Sequence, residues 1–378
     1  MREKLKDLTS IGASSIITTV IGGIFWMFMA STLGAEKYGE VSYLLSIGVI
    51  ASTVALAGNT NTLIVYRVKG DKIQTAIFFI SIVFSIIVSI VLFLILNNIE
   101  IGIYVLGYVI FTLAAAQLQA EKNYTKYSKL LIIQKILMVG LALGMFYLIG
   151  FQGIIFGIAL SFLPYSFLLY KEFKKTKIDF SILKKRSGFM INNFTLDISG
   201  VLHGSFDKII IAPMLGFTLL GNYQLGIQII GVMTIIPAMV MTYTLPNDAS
   251  GKENKLMKKI IIIVSVILVI LTIILTPIVL PHIFPEYENA IEIIQIMSLS
   301  VIPTTIVMTF ISKFLGRGKS RITLIGTGIY VGIQIPTILL LTELFGVNGT
   351  ASSVVIANTA HAIYFIFIDR YYSRKQFT

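Results

Sequence analysis

The chain alternates between long apolar segments and short polar connections. A transmembrane helix needs about 20 consecutive apolar residues, and runs of that kind can be placed twelve times. We predict spans at 9–32, 41–66, 73–97, 101–120, 129–149, 152–170, 188–214, 220–245, 259–280, 289–312, 321–341 and 348–368. The pattern therefore predicts an all-α integral membrane protein with about 12 transmembrane helices.

The basic residues gather at every second connection. If the N-terminus lies inside the cell, every Lys and Arg falls at an inner connection or terminus, except Lys37, Lys135 and Lys208. The outer connections carry acidic residues instead: Glu36, Glu40, Glu100, Glu286, Glu288 and Glu343. Such an asymmetry is what the positive-inside rule describes. We therefore expect a multi-pass protein of the cytoplasmic membrane, with both termini cytoplasmic.

Composition agrees with a membrane location. Of the 378 residues, 56% are hydrophobic and 13% are charged, whereas soluble domains carry about 25% charged residues. The net charge of +12 would suggest nucleic-acid binding in a soluble protein. Here it follows from topology, and we expect no nucleic-acid partner. The first apolar run is too long for a signal peptide, so we interpret it as a retained helix.

Two short motifs recur in the second half of the chain. LGAEKYG from residue 33 recurs as LGFTLLG from residue 215, at an offset of 182 residues, and GFQG at 150–153 recurs as GVNG at 346–349. The longest polar connection, 171–187, separates six spans from six. These features predict two six-helix bundles, 1–183 and 184–378, related as a parallel repeat. Transporters are often built from such repeats, with a substrate site between the halves.

The seventh span carries an unusual polar face. On a helix that turns about 100° per residue, Asp197 and Lys208 fall within roughly 20° of each other, and Asn193 lies about 40° to one side. Asp207 borders this face, while His203 points elsewhere. An ionisable group at bilayer depth costs about 2.5–3.5 kcal/mol. We therefore expect this face to point into the protein interior.

Four residues are candidates for binding an anionic substrate, namely Lys135, Lys208, His203 and Arg67. Lys135 lies six residues past Lys129, roughly 9 Å into the fifth span. It either lines a cavity or extends back to the interface. Lys208 fits either a ligand contact or an ion pair near the outer end of its helix. Arg67 lies at a cytoplasmic helix end, where topology alone also explains it.

Asp197 and Asp207 are candidates for coupling to H⁺ or Na⁺. Asp197 lies roughly 14 Å along its helix, where no water-facing loop accounts for it. The alternative is a satisfied polar contact between helices. His203 is of the one residue type whose ordinary pKa lies near neutral pH, but a helix-packing hydrogen bond is the favoured explanation for it.

Amide side chains in the spans are candidates for lining a cavity that holds sugars. Any one of them is also explained as a polar contact between packed helices. The candidates in this group are Asn59, Asn61, Asn193, Gln224 and Gln228.

Signatures of hydrolysis, nucleotide binding and metal binding are missing from the sequence. It contains no cysteine, no phosphate-binding loop, no zinc-protease motif and no nucleophile elbow. We therefore expect no metal, no cofactor and no catalytic residue. A membrane-embedded glycosyl- or acyltransferase stays as an alternative. However, Pro281–Asn289, one of the largest outer connections, offers only His282, Glu286 and Glu288 to such an enzyme.

Three stretches resemble one known family. They are STLGAEKYGEVSYLLSIGVI from Ser31 with Gly58 and Arg67, the run from Asp207-Lys208 through Leu215-Gly216 to Gly221-Asn222-Tyr223, and Gln117-Leu-Gln-Ala-Glu-Lys122 followed by Gly150-x-x-Gly153. Their order and spacing are similar to the polysaccharide-biosynthesis, or O-antigen-type oligosaccharide flippase, family. That family belongs to the multidrug/oligosaccharidyl-lipid/polysaccharide exporter superfamily.

The resemblance implies two bundles around a central cavity and alternating access. It implies a polyprenyl-pyrophosphate-linked glycan as cargo, membrane lipids as surroundings, and membrane proteins of polysaccharide assembly as partners. The expected function is therefore flipping of a lipid-linked oligosaccharide to the outer leaflet. A cation-coupled multidrug exporter of the same superfamily is the alternative. The chain departs from the family's pattern in one respect, because no arginine lies deep in a predicted span.

Overall fold

The computed structural model describes residues 2–249, 254–287 and 289–375. Side chains within these ranges are described except at 2–10, 203, 242–243, 246–247, 249, 320 and 373–375. The described chain is helical and contains no β-strand. Its helices are α1 (Arg2–Leu56), α2 (Asn59–Val68), α3 (Gln74–Leu96), α4 (Ile99–Ala120), α5 (Tyr124–Ile149), α6 (Gln152–Phe162), α7 (Ser166–Lys175), α8 (Phe180–Leu215), α9 (Phe217–Met233), α10 (Ile235–Ala249), α11 (Lys255–Ile283), α12 (Ala290–Ser298), α13 (Val301–Gly316) and α14 (Ser320–Lys375).

These helices account for the twelve predicted spans. Within the described ranges, eight helical stretches are long and apolar enough to cross a membrane. Two of them, in α1 and α14, are interrupted at Gly34 and Gly346 and are long enough to cross twice. Two bent pairs of helical segments, within α8 and from α9 into α10, qualify as one span each. The prediction of an all-α membrane protein with about twelve spans is confirmed.

Side-chain caps explain why several helices begin where they do. Asn98, Asn123 and Asn254 each accept a hydrogen bond from the backbone N–H three residues later, which satisfies a donor that the helix leaves unpaired. Asp179 accepts one from the backbone N–H of Ser181 at 2.9 Å, just before α8. The side chain and backbone N–H of Ser181 hold the pKa of the Asp179 carboxyl below its ordinary value.

The chain forms two compact units. The first comprises the residues up to Phe25 together with Val41–Ile209, and the second comprises Trp26–Glu40 together with the residues from Ile210 onward. The chain therefore passes from one unit to the other twice within α1 and once within α8. The division predicted at residues 183/184 concerns the sequence repeat and stays a prediction.

The core of the first unit is built by apolar side chains of α1 to α5, α7 and α8. Its fully buried members include Leu63, Ile77, Phe78, Val105 and Leu113. Burying each such side chain contributes about 1.5–3 kcal/mol in water. Between helices that lie in a bilayer, van der Waals packing is the main source of stabilisation instead.

The second unit holds the Trp26–Glu40 part of α1 in an aromatic cluster. The Tyr38 ring lies 6.2 Å from that of Trp26 and 6.4 Å from that of Tyr287, and Phe284 lies 5.8 Å from Tyr287. The buried Tyr287 hydroxyl donates a hydrogen bond to the carbonyl of Ala30 at 2.9 Å. Residues from the first third of the chain are thereby built into the core of the second unit.

The repeated sequence motifs adopt matching backbone conformations. Gly34 has φ 72° and ψ 170°, and its counterpart Gly216 has φ 86° and ψ 170°. This region is open to glycine and closed to most other residues, so each glycine can end one helix and start the next. Gly150 and Gly346 also match, with φ of 81° and 60° and ψ of −161° and −140°.

Candidate functional site

Lys135 places a positive charge inside the first unit. The side chain is half-buried, and its Nζ lies 3.7 Å from Sδ of Met138. Gly22 of α1 lies against the ammonium, since a Cβ at that position would be in van der Waals contact with Nζ at 3.5 Å. Among the described side chains, no carboxylate forms an ion pair with Lys135.

The contact between Lys135 and Met138 joins two long side chains of the same helix. Helix α5 begins at Tyr124 beside the basic residues Lys126 and Lys129, and Met138 lies almost one turn beyond Lys135. Side chains on a helix tilt toward its N-terminus, so Met138 can reach back to the level of the ammonium. The choice between a lysine that lines a cavity and one that extends back to the interface stays a prediction.

Asp197 places a negative charge in the same unit. Its side chain is half-buried in α8 and interacts electrostatically with the hydroxyl of Tyr108 on α4. The Tyr108 hydroxyl also hydrogen-bonds Thr112. No Lys or Arg whose side chain the structure describes forms an ion pair with Asp197. The first unit therefore holds one unpaired membrane-embedded charge of each sign.

Tyr108 belongs to an aromatic group that sequence reasoning missed. Its ring stacks on that of Tyr104 at 5.9 Å, and Phe162 of α6 packs edge-on against both rings at 5.8 and 5.9 Å. Phe111 extends the group, 5.3 Å from Phe162. The available signal was the i, i+4 spacing of Tyr104 and Tyr108 on the fourth span. Asp197 lies within electrostatic range of one hydroxyl of this group, that of Tyr108.

Asp207 and Lys208 neutralise each other. Both are buried, and the Lys208 ammonium lies 3.5 Å from Oδ1 of Asp207. The same ammonium donates a hydrogen bond to the carbonyl of Gly204 at 2.7 Å. A charged group that is already paired is a weaker candidate for binding substrate or a coupling ion.

The straight-helix projection of the polar face is wrong. Helix α8 bends by 50° between Leu202 and Gly204, so Asp197 and Lys208 lie on different arms of the helix. Glycines at 200 and 204 flank the bend, and small residues are a usual cause of helix kinks. The side chain of His203 lies outside the described residues.

Asn59 and Asn193 come from two closely packed helices of the first unit. Asn59 is fully buried and donates a hydrogen bond to Ser81 at 2.9 Å, while its Oδ1 atom has no described partner. Asn193 donates to the carbonyl of Phe189 in its own helix. Gly58 lies so close to the α8 backbone that a Cβ would overlap it. Both amides are therefore enclosed between helices.

The remaining candidates are spread over both units. Asn61 is exposed on α2, and Arg67 is half-buried in the last turn of that helix, within electrostatic reach of Lys175. Gln224 and Gln228 are half-buried on α9 of the second unit. The Gln224 side chain lies within interaction range of the Tyr38 hydroxyl.

The sequence reading also missed a buried ionic network in the second unit. Asp248 of α10 accepts from the Lys258 ammonium of α11 at 2.8 Å and from the Ser312 hydroxyl of α13 at 2.6 Å. The hydroxyls of Ser312 and Thr244 lie 3.0 Å apart. The Asp248 side chain is only 2% exposed. In the sequence, Asp248 lies at the end of a predicted span beside a basic connection, where a charged residue of a water-facing loop is expected.

Comparison with known proteins locates the fold. No family model matches the chain, and no curated protein matches its sequence. Among solved structures, the lipid II flippase MurJ in an inward closed conformation aligns with a TM-score of 0.77 at 12% identity, covering 95% of this chain and 87% of that one. An inward-facing MATE family multidrug resistance transporter of the MOP superfamily aligns with a TM-score of 0.72 at 16% identity, over 96% and 95%.

An outward-facing MATE transporter of the same superfamily also aligns, with a TM-score of 0.62 at 17% identity, over 98% of this chain and 97% of that one. The chain has the fold of MOP-superfamily transporters. Identities of this size show the fold and leave the cargo open. The superfamily and the narrower family to which the sequence resemblance points stay predictions. Within the described residues, no group of three or more His, Cys, Asp or Glu side chains is arranged to hold a metal ion.

Proposed function

We propose that this protein is a flippase that moves a polyprenyl-pyrophosphate-linked oligosaccharide from the cytoplasmic to the outer leaflet by alternating access. The observation that carries the proposal is Lys135, a half-buried ammonium within an apolar span that forms no ion pair with any described carboxylate. A pyrophosphate crossing a low-dielectric core needs a cation to offset its charge. An ammonium without a partner carboxylate is available for that role.

The fold adds support, because it is shared with a lipid II flippase. In this proposal Asn61 provides an amide for the sugar hydroxyls, and Arg67 meets the phosphates near the cytoplasmic end. Asp197 provides the site for H⁺ or Na⁺ coupling. Membrane proteins of polysaccharide assembly are the proposed partners, and the cytoplasmic membrane is the proposed location.

Asp197 favours a second candidate, a cation-coupled exporter of amphipathic compounds. A carboxylate that pairs with no described Lys or Arg, within electrostatic range of the Tyr108 hydroxyl, suits an organic cation, which carboxylates and aromatic faces both attract. The fold is equally that of MATE multidrug transporters. A membrane-embedded transferase receives no comparable support.

The deciding experiment follows two cargoes in reconstituted vesicles. One is a fluorescent polyprenyl-pyrophosphate oligosaccharide, and the other is a fluorescent organic cation. Wild type is compared with Lys135→Gln, Asp197→Asn and the control Lys126→Gln, which removes an exposed lysine from the same helix. For a flippase, Lys135→Gln slows glycolipid movement by roughly tenfold or more, since about 1.4 kcal/mol of lost binding is tenfold.

The outcomes separate the candidates. Glycolipid movement that needs Lys135, and is unaffected by Lys126→Gln, supports the flippase. Efflux of the cation that needs Asp197, with no glycolipid movement, supports the exporter. Movement of neither cargo by folded wild type in an imposed H⁺ or Na⁺ gradient rejects both.

A further inference from the structure

Helix α7 has one face packed against the protein. Leu169 and Glu172 are 3% and 5% exposed, and the ring of Phe173 packs against that of Phe78 at 6.0 Å. Glu172 also accepts from the Lys175 ammonium at 2.8 Å. The acidic residue of this helix therefore lies on the packed face, and it forms an ion pair with the last lysine.

The opposite face of α7 has no such packing. Phe167, Tyr170, Lys171 and Lys174 follow the i, i+3, i+4, i+7 spacing that places residues on one side of a helix. The two rings are 57% and 55% exposed. We call these four residues the aromatic–lysine face.

The face contains the same arrangement twice. The Lys171 ammonium lies 4.4 Å from the ring centre of Phe167, and the Lys174 ammonium lies 4.7 Å from that of Tyr170. Each lysine follows its aromatic residue by four positions. Among the described carboxylates, none pairs with Lys171 or Lys174. Each ammonium is held over a ring and retains donor capacity for an acceptor outside the protein.

The position of the face identifies the kind of acceptor. Helix α7 is the end of a 24-residue stretch, Gln152–Lys175, that is apolar enough to cross a membrane. Exposed aromatic rings at the end of a span lie at the level of the lipid headgroups. Lysines at that level attract anionic lipids. An acidic protein partner would leave the two exposed rings without an apolar surface to meet, whereas the bilayer supplies both.

We propose that the aromatic–lysine face binds the phosphodiester headgroup of an anionic phospholipid in the adjoining leaflet. The two ammonium groups donate to the phosphate oxygens, and the Phe167 and Tyr170 rings lie against the upper acyl chains. This site is separate from the proposed transport cargo. The proposal gives Lys171 and Lys174 a lipid-binding role in addition to their contribution to membrane topology.

The test measures lipid binding to the purified full-length protein by native mass spectrometry. Phosphatidylglycerol and phosphatidylcholine are titrated separately against wild type, K171Q/K174Q and the control K126Q/K129Q. The control removes two exposed lysines that form no described ring contact. Each lysine near an anionic headgroup contributes roughly fivefold in affinity. We therefore expect K171Q/K174Q to weaken phosphatidylglycerol binding roughly 25-fold, with phosphatidylcholine binding unchanged.

Two more variants keep the proposal falsifiable if the glutamine variant folds poorly. K171R/K174R keeps both charges and should retain binding, whereas F167L/Y170L keeps both lysines and should weaken it. Equal binding of the two lipids by wild type would overturn the proposal. So would an equal loss in K126Q/K129Q, because binding would then follow total charge instead of this face.

Discussion

Gly39 and Gly221 pack reciprocally. A Cβ on Gly39 would overlap the carbonyl oxygen of Phe217, and a Cβ on Gly221 would overlap the carbonyl oxygen of Ala35. Phe217 precedes Gly221 by four residues, and Ala35 precedes Gly39 by four. The two copies of the sequence motif therefore pack against each other with reciprocal contacts, and their helix backbones touch directly.

We expect Gly39→Ala and Gly221→Ala to destabilise the protein. The added methyl group must displace a backbone carbonyl, and overpacking of this kind costs about 1–3 kcal/mol. The thermal unfolding midpoint in detergent should fall for both variants. Gly231→Ala is the matched control, because it lies in α9 with no atom within 4 Å of its Cβ position. It should be neutral or stabilising, by up to about 1 kcal/mol. Equal midpoints for all three variants would contradict the reciprocal packing.

Asp248→Asn should destabilise the second unit. It removes the carboxylate that faces the Lys258 ammonium at 2.8 Å, and breaking a buried ion pair costs about 3–5 kcal/mol. Chemical or thermal unfolding of the purified variant measures this loss. For comparison, Glu40→Gln at the more exposed Lys37–Glu40 pair should cost at most about 1 kcal/mol. A loss no larger at Asp248 than at Glu40 would show that the buried network is dispensable.

Tyr287→Phe should lower stability by about 0.5–1.5 kcal/mol. The substitution keeps the ring packing against Tyr38 and removes only the hydrogen bond to the Ala30 carbonyl. Tyr147→Phe, at a side chain that is 73% exposed, should leave the unfolding midpoint unchanged. If both substitutions behave alike, the Tyr287 hydroxyl does not hold Trp26–Glu40 in the second unit.

Lys135→Met should raise stability while it lowers transport. Methionine removes an ammonium that costs up to about 3 kcal/mol at bilayer depth, and no described carboxylate loses a partner. Groups that a protein needs for activity often lower its stability. Unfolding midpoints and vesicle transport, measured on the same preparation, test both halves. A drop in stability would instead assign Lys135 a structural role.

Much of the architecture could be predicted from the sequence. Span length and the alternation of basic residues are local properties of the chain, and the bilayer imposes them segment by segment. The repeat was also readable, because Gly34 and Gly216 repeat a backbone conformation that favours glycine.

The pairing of charges was decided by the tertiary structure. Helical projection placed Lys208 and Asp197 on one face, but α8 bends between them, and the Lys208 ammonium lies 3.5 Å from Asp207. Asp248 and Ser312 meet although they are 64 positions apart, a contact that neither hydropathy nor helical periodicity encodes.

The sequence by itself thus determined which segments cross the membrane and that the two halves repeat, because these depend on local apolarity and backbone preference. Only the tertiary structure decided which embedded charges are neutralised and which, like Lys135 and Asp197, stay unpaired. The reason is that the cost of a buried charge depends on the atoms that packing brings within hydrogen-bonding distance.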